Sequence, residues 1–246
     1  MKIIYENEDY LIINKPAGLI VHGGNGVEEK TLVDFLLEKY PQLENIGEDP
    51  ERPAIVHRLD KEASGLMIIP KNNPSFKYFK SLFQERKIEK EYTALVYGQL
   101  SKDEDVINFP IKRASSGHKM AAIPKPKKAT EENEGKENVS NRELGNIKAF
   151  ESSREAITSF STIKKMINFT LLKVKIKTGR THQIRVHFSA YGHPLLGDNL
   201  YGNKKIKTER IFLEATRLAF VDPKKEKQEF RINLGEDLEE ILKRVK

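Results

Sequence analysis

A chain of 246 residues is long enough for one large domain, and 43 lysines and arginines against 36 aspartates and glutamates leave a net charge of +7, which suits a polyanionic partner without requiring one. The lack of cysteine excludes disulfides, thiolate zinc sites and a cysteine nucleophile. No apolar run approaches the roughly 20 residues of a membrane span, and Lys2, Glu6, Glu8 and Asp9 break up the first apolar stretch, so neither signal peptide nor anchor is expected and a soluble, cytoplasmic protein is.

In chain order, the first strand signal is Tyr10 to Ile13, stopped by Asn14-Lys15-Pro16. A helix is predicted over Thr31 to Tyr40, where Leu32, Phe35, Leu36 and Lys39 have helical spacing. Leu66 to Ile69, before Pro70, reads as a strand, and Pro74 to Gln84 as a helix with Phe76, Phe79 and Phe83 on one side. Tyr92 to Tyr97 is a further strand, ended by Gly98. Residues 124 to 150 are polar, with two prolines, two glycines and near-neutral charge, and predict a flexible surface insert. In the strand predicted from Phe169 to Ile176, Val174 and Ile176 alternate with Lys173, Lys175 and Lys177, giving one buried and one cationic face. A helix over Thr181 to Tyr191, with Ile184, His187, Phe188 and Tyr191 on one face and Gly192 as its stop, precedes a last helix over Asp237 to Val245. Strands without regular βαβ alternation predict an α+β fold with a largely antiparallel sheet.

Two segments carry chemistry. The first, His57-Arg58-Leu59-Asp60-Lys61-Glu62-Ala63-Ser64-Gly65-Leu66, is a charged loop feeding an apolar strand. Most Arg-x-Asp triplets only close a turn. The second, Thr178-Gly179-Arg180-Thr181-His182-Gln183-Ile184-Arg185-Val186-His187, is a lysine-lined strand turning into a helix, which alone is an ordinary basic helix start. Together they offer a carboxylate at a strand end and an arginine at a helix N-terminus, and a neighbouring guanidinium lowers an aspartate pKa by roughly 1–3 units while fixing its orientation.

The run HRLDKEASGL resembles the signature loop of the RluA-type RNA pseudouridine synthases. Four further segments are similar to that family in the same order: YLIINKPAGLIVHGG, KEYTALVYG, TGRTHQIRVHFSAYGHPLLGDNLYG and RIFLEATRLAFVDP. The match runs from about Ile3 to Leu242, broken by the polar insert. Ala63 stands where the family commonly has threonine.

The resemblance implies a single catalytic domain of the pseudouridine synthase fold, a mixed, mainly antiparallel sheet with flanking helices and a central RNA-binding cleft. The small RNA-binding domain that many relatives carry before it is not expected here. It implies isomerisation of uridine to pseudouridine in ribosomal or transfer RNA, without metal or organic cofactor and with RNA as partner to a monomer. Asp60 then acts as nucleophile at the sugar or as base in a glycal route, and Tyr92 stacks on the extruded uracil. Arg180 is expected as the partner of Asp60, with Arg185 as the alternative. Arg58 is expected to fill the gap left by the flipped nucleotide or hold its phosphate, with His57, His182 and Arg185 also on the RNA side. His182 and His187 lie five apart, off the i, i+4 spacing of zinc helices. A non-catalytic RNA-binding or ribosome-assembly factor with the same basic cleft is the alternative from another class, although a binder gains little from an acid facing phosphates.

Overall fold

In the computed structural model the described residues are 1–24, 28–114, 117, 119–123, 152–202 and 208–245. The polar insert predicted at 124 to 150 lies outside them.

A nine-stranded sheet carries the fold, in spatial order β1 (Lys2–Glu6), β2 (Tyr10–Lys15), β3 (Ser64–Pro70), β10 (Leu213–Val221), β4 (Glu89–Tyr97), β9 (Phe169–Ile176), β8 (Thr158–Lys165) and β5 (Glu104–Ile107), with β11 (Lys227–Arg231) also paired to β10. A separate hairpin joins β6 (Ile111–Arg113) to β7 (Met120–Ala122). Every pairing in the large sheet is antiparallel except β3 with β10. The α+β class with a mainly antiparallel sheet is therefore as the strand pattern predicts.

Strands β2 and β3 are almost wholly buried because both faces of the sheet are covered there. Their residues alternate between two cores. Leu11, Ile13, Met67 and Ile69 join Leu32 and Leu36 of α1 (Leu32–Lys39), whereas Tyr10, Ile12, Leu66 and Ile68 join Phe79 and Leu82 of α2 (Asn73–Gln84). Thr31 caps α1 reciprocally with Asp34, an arrangement worth about 1 kcal/mol. The buried face of α1 is Leu32, Val33 and Leu36, not the predicted face through Phe35, which stays exposed with the Lys30 ammonium 4.8 Å from its ring centroid. Helix α3 (Gln183–Ala190) packs Ile184 and Phe188 on Phe160, Leu172 and Val174, and α4 (Glu236–Arg244) seats Leu238 beside Leu95, Phe169 and Phe212. Val174 is buried while Lys173 and Lys175 are exposed, as the alternation on β9 predicts.

The parallel β3–β10 contact pairs Ser64 with Glu214 and Gly65 with Ala215. Gly65 has φ +119°, and a Cβ there would stand 2.4 Å from the backbone of Ala215, so only glycine allows the two strands this close. The end of the Asp60 loop is thereby drawn against β10 and, through it, β4. Among the described residues no helix is long and apolar enough to cross a membrane.

Candidate active site

The segment before β3 is pinned from both ends. Ala54 takes a left-handed backbone (φ 58°) while its N–H donates to the Ile46 carbonyl, and Leu59 is buried as the plug of the loop. The Ala63 N–H closes a turn on the Asp60 carbonyl, and the Gly18 N–H reaches Lys61 O at 2.7 Å. Lys15, wholly buried, donates its Nζ to the carbonyls of Pro16 and Leu19 and, at 3.3 Å, Lys61. Burial pulls the Lys15 ammonium down to about 8 even though Asp60 and Glu62 pull it up. These bonds fix the backbone around Asp60 and leave one fifth of its side chain exposed.

The guanidinium facing Asp60 belongs to Arg185, not to Arg180. Arg185 Nη1 lies 3.6 Å from Asp60 Oδ2 and 3.0 Å from Glu62 Oε2. Its Nε and Nη2 form a fork on Asp198 at 2.9 Å each. Asp198 is buried, and its Oδ1 also accepts from the N–H groups of Leu200 and Tyr201. Burial alone would lower the Arg185 pKa, but Asp198, Asp60 and Glu62 outweigh it and raise it. Burial likewise pushes Asp198 up, and Arg185 with the two backbone donors brings it below the ordinary carboxylate range. With 4% of its side chain exposed, Arg185 is a buried brace and does not offer the RNA contact expected of it.

Arg180 is displaced because α3 begins at Gln183, two residues later than predicted: Thr181 and His182 form a turn, with His182 at φ 54°. Arg180 thus precedes the helix, and its Nε donates to the Glu155 carbonyl at 3.0 Å. Gln183 holds this turn together. Its Oε1 accepts from Thr178 Oγ1 and Arg180 N–H, and its Nε2 donates to Ile157 O and Thr158 Oγ1. His182 is half-buried, with Nδ1 2.9 Å from the Tyr201 hydroxyl, and burial lowers its pKa.

Asp60, Tyr92, Arg58, His57, Arg180 and His182 all line one open cleft of about 580 Å³, a volume usual for small-ligand sites. Tyr92 is buried on β4 and its hydroxyl has no hydrogen-bond partner among the described residues; burial, and then the charge of Asp60, push its pKa up. Arg58 is exposed, 3.2 Å from His22 Nε2. His57 is half-buried, stacked on Phe83 at 4.5 Å, and its Nε2 accepts the Ile68 N–H. Burial and the nearby Lys90 charge hold its pKa down to about 3, so His57 is neutral and its acceptor nitrogen is already used. That makes it a wall of the cleft and not a cationic RNA contact. His187 is buried with both ring nitrogens engaged, on Thr158 and the Phe109 carbonyl. Among the described residues no three His, Asp or Glu side chains gather where one metal ion could sit.

Sequence reasoning misses Asp198, Lys15 and Gln183. Gly197-Asp198-Asn199 reads as a surface turn, Lys15 as a charge bounding a strand, and Gln183 as one more helix residue; nothing local marks any of them as buried.

The family described as RNA pseudouridylate synthase matches residues 9–190. The chain is 43% identical over 215 residues to an uncharacterized RNA pseudouridine synthase of Aquifex aeolicus (strain VF5), covering 87% of this chain and 60% of that protein. It is 33% identical to the ribosomal large subunit pseudouridine synthase D of Zymomonas mobilis subsp. mobilis, covering 99% of this chain and 72% of that one. Among solved structures, human RNA pseudouridylate synthase domain containing 1 superposes with a TM-score of 0.69 at 25% identity, over 95% of this chain and 83% of the human one. The chain thus spans about six tenths of the length of the Aquifex relative.

Proposed function

The chain belongs to the RNA pseudouridylate synthase family, and from that premise we propose that it isomerises uridine to pseudouridine in a folded RNA, with Asp60 as the catalytic carboxylate. One observation carries the reading: Asp60 sits in a cleft fit for a nucleotide, facing an arginine that Asp198 and Glu62 hold in place, with Tyr92 in the same cleft. The reaction breaks the bond from ribose carbon 1′ to ring nitrogen 1 and remakes it to ring carbon 5. It is an isomerisation and consumes no oxidant or reductant.

A paired or stacked uridine must leave its helix to reach the cleft, at a cost of a few kcal/mol. Stacking on Tyr92 offsets part of that cost. Asp60 then works at carbon 1′ or, in a glycal route, as base on the sugar. Arg185 positions it, and Arg58 and Arg180 at the cleft take up RNA backbone. The name of the Zymomonas relative makes large-subunit ribosomal RNA the first substrate to try, and we read the chain as one catalytic domain working as a cytoplasmic monomer.

The test is mapping of pseudouridine by chemical labelling in large-subunit ribosomal RNA transcripts treated with wild type or Asp60→Asn. Wild type converts a defined uridine and the variant converts none while still binding RNA. Conversion by the variant near the wild-type rate overturns the role of Asp60.

A further inference from the structure

Strand β4 presents Lys90 and Tyr92 to the cleft and Glu89 and Glu91 to the other face of the sheet, as strand alternation requires. On that other face Glu89 pairs with Arg217, and Glu91 lies within 4.0 Å of Lys175 and Arg231. Neither neighbouring carboxylate serves Lys90. The acids that line the cleft are also committed: Glu48 to Lys80, Asp49 to Arg52, and Asp60 to Arg185.

Lys90 is half-buried, and among the described residues it forms no hydrogen bond or ion pair. Its ammonium stands 5.2 Å from the centroid of Phe83, whose ring stacks on neutral His57, and a Cβ on Gly179 would be 3.8 Å from Nζ. The cleft therefore holds a cation against an aromatic wall with no anion to balance it. Burial is the cause that draws this ammonium down to about 8. A partly desolvated charge without a counterion is costly in the free protein, and it is repaired by a ligand that brings the anion.

We propose that Lys90 is a further phosphate-binding group of this cleft, beside Arg58 and Arg180, and takes the backbone phosphate next to the uridine that lies at Tyr92 and Asp60. This rests on the proposed function and gives the substrate's backbone its own contact. Uracil and ribose carry no anion, so the phosphodiester is the group that matches. Lys90 and Tyr92 are two residues apart on one face of a strand, roughly 7 Å, so one nucleotide reaches both.

The experiment measures binding of a stem–loop RNA with a uridine loop across a salt series for wild type, Lys90→Met and Lys90→Arg, beside thermal unfolding of each. Lys90→Met is expected to lose on the order of tenfold in affinity at low salt, and its slope of log affinity against log salt becomes shallower by about 0.7–0.9, one phosphate's worth. Lys90→Arg restores most of both. The melting temperature of the Met variant equals or exceeds that of wild type, because an unbalanced charge has been removed. If Lys90→Met keeps wild-type affinity and slope, or melts lower with no rescue by arginine, Lys90 is not a phosphate ligand. If wild type neither binds nor converts any RNA, the proposed function fails instead.

Discussion

Arg185, buried behind Asp60 on helix α3, and Lys90, lining the cleft on strand β4, are provided for in opposite ways. Arg185 has three carboxylates within 3.6 Å and every one of its charged donors is directed. Lys90 has an aromatic ring, a glycine and no anion. A cation that is balanced before substrate arrives can hold a catalytic group in place. A cation left unbalanced gains only when something negative comes in, so its energy appears in binding.

The largest effects should come from unbalancing the first cation. Asp198→Ala leaves a buried guanidinium short of its main partner, and breaking a buried pair this way costs roughly 3–5 kcal/mol. Chemical denaturation reads that loss directly. Asp198→Asn keeps the side-chain shape and an oxygen for the N–H groups of Leu200 and Tyr201. It is expected to fold and to lose on the order of 100-fold in single-turnover rate, the scale set by a small misplacement of a catalytic group. Arg180→Ala serves as the contrast, with stability within about 0.5 kcal/mol of wild type. Were Arg180→Ala as slow as Asp198→Asn in single turnover at saturating RNA, where a lost backbone contact no longer counts, the assignment of Arg185 as the brace would be wrong.

A middle-sized effect belongs to Tyr92. Replacing it with alanine should weaken RNA capture by roughly 1–3 kcal/mol, the worth of one base–aromatic stack, whereas Tyr92→Phe binds as wild type. The raised pKa keeps the phenol protonated through neutral pH. Comparing glycosidic cleavage with tritium release from uracil carbon 5 in the Phe variant tells whether the hydroxyl handles that proton. Normal binding and turnover by Tyr92→Ala would reduce the residue to packing.

The last effect is a slope and concerns acid stability. His57 has a folded pKa of about 3 against an ordinary value of 6.5, so between those values the unfolded chain binds the proton and the folded one does not. Its contribution is intact above about pH 6.5 and is lost as the pH falls toward 3, with a slope of at most about 1.4 kcal/mol per pH unit. His57→Asn should flatten that limb in denaturation measured from pH 7 to 4. A limb unchanged by the substitution would mean that His57 ionises freely in the folded protein.

Much of this fold was legible because apolar runs bounded by Asn, Gly and Pro mark strands, and β9 has the predicted residues at both ends. Strand β8, TSFSTIKK, was not, since serines and threonines occupy both faces and no apolar alternation remains. The start of α3 was misplaced because Thr181 and His182 are compatible with a helix, and only the left-handed backbone at His182 shows the turn. That error of two residues put Arg180 right at the predicted helix start, where it competed with Arg185 as the partner of Asp60. At the site, Asp60 and Tyr92 were readable through their motifs, while Asp198 and Lys15 were not. Their burial comes from contacts between distant segments, and neither the period of a strand nor that of a helix encodes such contacts.

The hydrogen bond from Ser64 to Glu214 joins residues 150 apart in sequence, and the pair from Arg185 to Glu62 joins residues 123 apart. At a synthesis rate of roughly 5–20 residues per second, the partners of the Asp60 loop emerge from the ribosome roughly 6–30 seconds after the loop itself. The first strands can pair early, but the carboxylate has no brace until α3 and β10 exist. A chain still being made beside abundant RNA thus carries Asp60 long before it carries the cleft and the brace around it.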